Sequence, residues 1–181
     1  MDCTRGTKKA VSNVRYAGGM TTPKVVRYEE SLREHFARLN RQWIEQDFAL
    51  EEADLASFAD PHRAFVAGGG EVFFALHGGQ VLGTCALRRE DADTFELCKM
   101  AVAPEARGLG LGDALMEEVL RFARERHARR VYLVSNTKLA PAIGLYRKHG
   151  FVTTRTGPEV SREAGYARAD IEMVLTLRPE G

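Results

Sequence analysis

Several features that would direct the chain to a disulfide framework, a metal or a membrane are missing from the sequence. The three cysteines are odd in number and show no C-x-x-C spacing, which argues against disulfides and against a zinc site. The five histidines include no H-E-x-x-H pair. No stretch approaches the roughly 18 to 20 apolar residues of a membrane span. We therefore expect a soluble, cytoplasmic protein with reduced thiols, no metal and no membrane partner.

The sequence also has little net charge. A formal charge of +1 and a pI near 7.8 provide no field that would attract nucleic acid, so we expect no nucleic-acid partner. Residues 1–19 contain four basic residues but no apolar segment typical of a secretory signal. We expect them to form a disordered basic extension, with a nucleic-acid-binding arm as the remote alternative. Residues 20–181 have the size of one domain.

The pattern of apolar residues predicts a mixed sheet with helices packed on it, an α+β, three-layer α/β/α domain. Gly78-Gly79 between two β-rich runs predicts a tight hairpin. The predicted strands are 25–28, 71–77, 80–87, 94–103, 130–134, 151–155 and 168–177. The first predicted helix begins at Glu29, and three further helices are predicted at 48–58, 111–126 and 139–149.

A glycine-rich loop lies between the strand that ends near residue 103 and the helix that begins near residue 111. A helix N-terminus offers unpaired N–H groups and the positive end of the helix dipole, and glycine lets a diphosphate approach the backbone. The dinucleotide fingerprint G-x-G-x-x-G fails here, because Asp113 or Leu115 occupies its third glycine position. No G-K-[ST] follows. The loop is therefore either an anion-binding site of another kind or a plain turn before a helix.

Three segments resemble motifs of the GNAT acetyltransferases. R-G-L-G-L-G at 107–112 is similar to their pyrophosphate motif, A-I-G-L-Y-R-K-H-G-F at 142–151 to their A-x-x-L-Y-x-x-x-G-F signature, and E-L-C-K-M-A-V at 96–102 to their fourth strand. The resemblance covers residues 25–177. It implies a mixed, mostly antiparallel sheet with splayed central strands and the order β1-α1-α2-β2-β3-β4-α3-β5-α4-β6-β7.

The resemblance further implies an acetyl-CoA-dependent N-acetyltransferase that moves the acetyl group directly to a primary amine of a small molecule, peptide or protein. Acetyl-CoA is the expected co-substrate. Many members carry asparagine seven residues before the tyrosine of the second motif, where this chain has Leu139. Asn136 either caps the following helix or binds CoA. The residues expected to bind acetyl-CoA are Met100, Ala101, Val102, Arg107, Gly108, Leu109, Gly110, Leu111, Gly112 and Asn136.

Two side chains are candidate catalytic groups by the same resemblance. Tyr146 is the candidate general acid for the leaving thiolate, with an ordinary core tyrosine as the alternative. Glu96 is the candidate base for the amine, with a solvated glutamate or a partner of Lys99 or Arg88 as the alternative. Strand alternation predicts that Glu96 shares a sheet face with residues 98, 100 and 102. The backbone N–H near Val102 is the expected donor to the oxyanion.

Other questions stay open at this stage. Arg168 and Asp170 alternate with apolar residues, so they either line the substrate mouth or face water. A non-catalytic acyl-CoA-binding regulatory domain is the alternative function, because a phosphate site can persist without an acid or a base. The sequence identifies neither the amine acceptor nor whether the chain forms a homodimer.

Overall fold

The computed structural model describes residues 22–177, so the basic extension predicted for 1–19 lies outside the described residues. The predicted elements are present in the predicted order. The strands are β1 Lys24–Arg27, β2 Glu71–His77, β3 Gln80–Arg89, β4 Thr94–Val102, β5 Arg130–Ser135, β6 Val152–Thr156 and β7 Ile171–Thr176. The helices are α1 Arg33–Asp47, α2 Glu52–Ala59, α3 Leu111–Glu125, α4 Ala140–Lys148 and α5 Pro158–Ala164.

The strands form one seven-stranded sheet in the order β1-β2-β3-β4-β5-β7-β6. Every pair is antiparallel except β4 with β5. Helix α3 packs on the sheet through Phe122, whose ring lies 5.6 Å from Phe73 and 6.4 Å from Phe95. Helix α1 packs against β3 and β4 and buries Phe36 and Ile44. The three-layer α+β architecture with a mostly antiparallel sheet is confirmed.

Several elements differ from the prediction. The first helix, predicted to begin at Glu29, begins at Arg33 after a 3₁₀ turn over Glu30–Leu32. Helix α2 begins at Glu52 rather than residue 48, because Phe48 is extended and a capping box between Glu51 and Asp54 starts the helix later. Helix α5 was not predicted, because it buries only Val160 and its sequence therefore shows no helical spacing of apolar residues. Strand β7 begins at Ile171 rather than residue 168. None of the helices between residues 22 and 177 is long and apolar enough to span a bilayer.

The two central strands separate after a short paired region. Residues 94–96 of β4 pair with residues 130–132 of β5, and the ladder stops there. Beyond it, β4 continues against β3 alone while β5 continues against β7. The strands therefore diverge toward the loop that precedes α3, which confirms the predicted splay.

A β-bulge interrupts β4 inside the splayed region. The register shifts so that Cys85 of β3 faces both Lys99 and Met100, and Lys99 has φ +55°. A bulge adds one residue to its strand and changes which face the following side chains occupy. The prediction that Glu96 shares one face with residues 98, 100 and 102 was therefore wrong for the residues that follow the bulge.

The two ends of that segment lie on opposite faces of the sheet. Val102 is paired with Gly83, where a Cβ would lie 3.2 Å from Leu115 of α3, so this end faces α3. Glu96 follows Phe95, whose ring contacts α3, and so points to the other face. The bulge thus lets one strand contribute side chains to both sides of the gap.

Candidate active site

The gap between β4 and β5 opens into a cleft with a cavity of about 470 Å³. Seven of the residues predicted from sequence line it, contributed by β4, the loop after it, the loop after β5 and helix α4: Glu96, Met100, Ala101, Val102, Arg107, Asn136 and Tyr146. The other five, Gly108 to Gly112, continue directly from Arg107. The structure therefore gathers the predicted site residues around one cleft.

The glycine loop has the backbone geometry of an anion cradle. Gly108 and Gly110 adopt φ +82° and +77°, which favour glycine, and a Cβ at either position would meet no atom within 4 Å. Gly110 is the N-cap of α3. Within residues 22–177, no backbone carbonyl accepts from the N–H groups of Leu111 and Gly112. These donors are free to bind an anion in front of the helix.

Gly112 has a packing role that differs from its predicted role in admitting a diphosphate. A Cβ at this position would lie 3.1 Å from Leu145 Cδ2, so the glycine lets α4 pack closely on the start of α3. Asp113 strengthens the same contact, because its carboxylate lies 2.7 Å from Lys148 Nζ and 2.9 Å from His149 Nε2. The cradle and the helix that carries Tyr146 are therefore held together.

Tyr146 is a buried side chain on α4, and the turn after the helix orients it. Gly150 has φ +90°, and the N–H of Phe151 donates to the carbonyl of Tyr146 over 3.1 Å. The two rings pack with centroids 6.1 Å apart. The turn at Gly150 thus folds Phe151 back onto Tyr146. Burial raises the pKa of Tyr146 well above its usual value, so the hydroxyl stays protonated at neutral pH.

Glu96 is also buried, and its partner is one of the two that the sequence offered. It accepts a hydrogen bond from Arg88 Nη2 on the facing position of β3. Desolvation raises the pKa of Glu96, and the positive charge of Arg88 opposes that rise. Glu96 borders the cleft on one side and a second, polar cavity of about 520 Å³ on the other, where Tyr132 and Arg130 also lie.

The open edge of β4 offers a backbone donor at the predicted position. The N–H of Ala103 donates to the carbonyl of Leu82 on β3 over 2.8 Å. Successive N–H groups of a strand point to opposite edges, so the N–H of Val102 points toward the gap. An oxyanion in the gap would find a donor there.

The thiol of Cys98 lies on the same strand. Desolvation raises the pKa of Cys98, and the negative charge of Glu96 raises it further, so the thiol stays protonated.

Asn136 does not cap helix α4, so the capping prediction was wrong. The N-cap is Leu139, which makes no side-chain cap hydrogen bond. Asn136 instead donates from Nδ2 to the carbonyl of Arg168 over 2.6 Å and accepts from the N–H of Lys138 over 2.9 Å. It connects the loop after β5 to the segment before β7, and it lines the cleft.

A buried ionic network at the cleft was not predicted from sequence. The carboxylate of Asp54 on α2 is fully buried, and it accepts from Lys99 Nζ and from both terminal nitrogens of Arg168 at 2.8 Å. Arg168 also donates to Glu51 over 2.8 Å, and Lys99 to the Tyr166 hydroxyl over 3.1 Å. The partners are up to 117 positions apart in the chain, so no local pattern reveals the network.

Comparisons with known proteins show the family to which the chain belongs. The model of the Acetyltransferase (GNAT) family matches residues 29–151. The chain is 36% identical over 132 residues to an uncharacterized N-acetyltransferase of Mycobacterium bovis, a match that spans 72% of this chain and 79% of that protein.

Solved structures share the fold at low sequence identity. A GNAT-family acetyltransferase from Staphylococcus aureus superposes with a TM-score of 0.77 at 20% identity, over 86% of this chain and 99% of that one. A GNAT-family acetyltransferase from Elizabethkingia anophelis, solved with acetyl-CoA bound, superposes with a TM-score of 0.60 at 18% identity, over 86% and 99%. The family match, the relative and the cleft together identify the chain as an acyltransferase that belongs to the GNAT acetyltransferase family.

Proposed function

We propose that the chain transfers the acetyl group of acetyl-CoA directly to a primary amine. The observation that carries the proposal is the convergence of three features on one cleft: a phosphate cradle, an open strand edge and a buried tyrosine. The first fits a diphosphate, the second an acyl group and the third a leaving thiolate. The Elizabethkingia anophelis relative, which holds acetyl-CoA on the same fold, supports this choice of co-substrate.

The residues present fit acetyl-CoA. The free N–H groups of Leu111 and Gly112 and the open space at Gly108 and Gly110 suit a diphosphate. Arg107 adds a positive charge at the edge of the cleft. We assign the acyl chain to the open edge formed by residues 100–102 and keep Asn136 as a contact of the CoA arm. When bound, acetyl-CoA supplies an activated thioester.

Two groups assist the attack on the thioester carbonyl. The Val102 N–H donates to the negative charge that develops on the carbonyl oxygen, an interaction whose loss in other enzymes lowers the rate about 10²-fold or more. The Tyr146 hydroxyl donates its proton to the thiolate as the carbon–sulfur bond breaks. A phenol with a raised pKa holds its proton until a strong base forms nearby, and a desolvated thiolate is such a base.

Glu96 accepts the proton that the amine loses. Its raised pKa brings it closer to neutrality than an ordinary glutamate, which improves a base. Arg88 holds the carboxylate in place through its hydrogen bond. The polar cavity on the far side of Glu96 gives the proton a route to solvent.

Release of CoA thiol from acetyl-CoA with a panel of amines tests the proposal. We expect release that requires both an amine and the parent protein, and that falls about 10² to 10⁴-fold in the Tyr146→Phe variant, the usual range for a general acid. Binding of acetyl-CoA without thiol release, across amines of every class, would instead support the non-catalytic acyl-CoA-binding domain.

A further inference from the structure

We propose that the amine acceptor carries a carboxylate, which the ammonium of Lys99 and the guanidinium of Arg168 bind. This inference rests on the proposed function and adds the chemical class of the acceptor. The observation behind it is a wall of the cleft that is separate from the glycine loop at 107–112. The wall consists of Trp43 from α1, Lys99 from the bulge of β4, and Tyr166 and Arg168 from the segment before β7.

Charges are layered behind this wall. Lys99 and Arg168 line the cleft, whereas the fully buried carboxylate of Asp54 lies behind them and does not line it. The carboxylates that do line the cleft are Glu96, which is paired with Arg88, and Asp47, which is exposed at the end of α1. Asp54 therefore holds two cationic side chains in place at the wall of the cavity. A desolvated anion fits that arrangement better than a third cation.

Both cations retain donors after their hydrogen bonds within the described residues are counted. An ammonium has three N–H donors, and Lys99 uses two of them, on Asp54 and Tyr166. A guanidinium has five, and Arg168 uses three of them, two from Nη1 and one from Nη2, on Asp54 and Glu51, which leaves the Nε–H and one Nη2–H. Hydrogen bonds between such donors and a carboxylate are the strong, charge-assisted kind.

The cations are held in fixed positions before any ligand binds. The Arg168 guanidinium lies 4.8 Å from the centre of the Tyr166 ring and 5.9 Å from that of Trp43. Lys99 Nζ lies 4.7 Å from the Tyr166 ring centre. Aromatic faces stabilise both charges and limit their motion. Binding of a carboxylate here therefore costs little conformational entropy, because the side chains of Lys99 and Arg168 are already ordered.

The same arrangement favours the chemistry of the amine. Lys99 lies three residues before Val102 on the splayed strand, so a carboxylate bound at Lys99 brings a nearby amine toward the open edge. A positive charge close to an amine lowers the pKa of that amine. A larger fraction of the acceptor is then neutral and able to attack. Amines of the α-amino carboxylate type place the two groups close enough for both effects.

The experiment compares matched amines in the acetyl-CoA assay with the full chain: phenylalanine, phenylalaninamide and 2-phenylethylamine, then the corresponding sets built on leucine and lysine. We expect the carboxylate member of at least one set to have a kcat/KM tenfold or more above its amide, a range typical of hydrogen bonds to charged groups. Equal or higher values for the amides and simple amines overturn the inference but leave the proposed function intact. No thiol release with any amine refutes the proposed function itself.

Variants then assign the effect to residues. In Arg168→Lys the positive charge stays but the planar donor set is lost, so the ratio of acid to amide kcat/KM should fall at least fivefold. Arg162→Lys, on the exposed side of α5, is the matched control and should leave the ratio unchanged. A ratio unchanged in Arg168→Lys contradicts the assignment.

Product inhibition of the parent protein tests the same contact without relying on a variant that folds. The N-acetylated form of the amino acid with the highest kcat/KM should inhibit at a concentration at least tenfold lower than its amide, because only the acid offers a carboxylate to Lys99 and Arg168. Equal inhibition constants for the two overturn the inference even if Arg168→Lys does not fold.

Discussion

The buried carboxylate of Asp54 should stabilise the fold in a way that depends on pH. Burial alone would raise the pKa of Asp54, but hydrogen bonds from Arg168 and Lys99 outweigh it and lower the pKa from 3.8 to about 2. A lowered pKa means that the ionised form binds its surroundings more tightly than the protonated form. Asparagine has the size of aspartate and, like the protonated acid, no charge. Asp54→Asn therefore removes the electrostatic stabilisation that the ionised carboxylate gains from Arg168 and Lys99.

The expected magnitude follows from the shift. Each pKa unit corresponds to about 1.4 kcal/mol, so a shift of nearly two units is worth about 2 kcal/mol of unfolding free energy at neutral pH. The stabilisation is fully present above the unfolded value near pH 4 and is lost as pH falls through about 2. The difference between parent and Asp54→Asn should therefore shrink to about half by pH 3.

Urea unfolding of both proteins at pH 7 and pH 3, followed by circular dichroism, measures the difference. Glu52→Gln is the matched control, since Glu52 is an exposed residue of the same helix, and we expect it to change stability by less than about 0.5 kcal/mol. If Asp54→Asn destabilises the protein no more than the control at pH 7, or if its effect is undiminished at pH 3, the ionised Asp54 carboxylate does not stabilise the fold in this way.

Three further variants test the cofactor and catalytic assignments. Gly110→Glu adds bulk and negative charge to the cradle, so acetyl-CoA affinity by calorimetry should fall more than tenfold, and a change within threefold would show that the site is misplaced. Tyr146→Phe should lower kcat with acetyl-CoA affinity nearly unchanged, and an unchanged kcat with chemistry rate-limiting would make Tyr146 a core residue. In the parent protein, kcat/KM should rise with pH up to an apparent pKa above that of an ordinary glutamate. Glu96→Gln should abolish this apparent pKa or shift it upward. An unchanged pH profile in the variant would exclude Glu96 as the base.

The parts of the molecule that sequence predicted well are those with a repeating or local cause. The buried residues of α3 recur at helical spacing, and the hairpin at Gly78-Gly79 follows from two glycines with positive φ. The turn at Gly150 was predictable because glycine at that position lets the chain fold back onto Tyr146. Such signals lie within a few residues of the structure that they specify.

The parts that sequence did not predict depend on contacts between distant segments. The bulge at Lys99 leaves no mark in the apolar pattern, yet it changes the face of every later side chain in β4. The sequence position of Asn136 allowed a helix cap, but its side-chain amide donates to the carbonyl of Arg168 instead. The network around Asp54 joins α2, β4 and the segment before β7, so only the assembled fold shows that Arg168 lines the cleft rather than facing water.

The most direct test of the central claim is to follow the acetyl group itself. The protein is incubated with acetyl-CoA labelled with ¹³C at the carbonyl and with the best amine of the panel, and the products are identified by mass spectrometry and ¹³C NMR. Direct transfer predicts one equivalent of ¹³C-acetylated amine for each CoA released, with a new amide carbonyl resonance. Release of CoA with labelled acetate and no acetylated amine, or no turnover with any amine despite binding of acetyl-CoA, would contradict it.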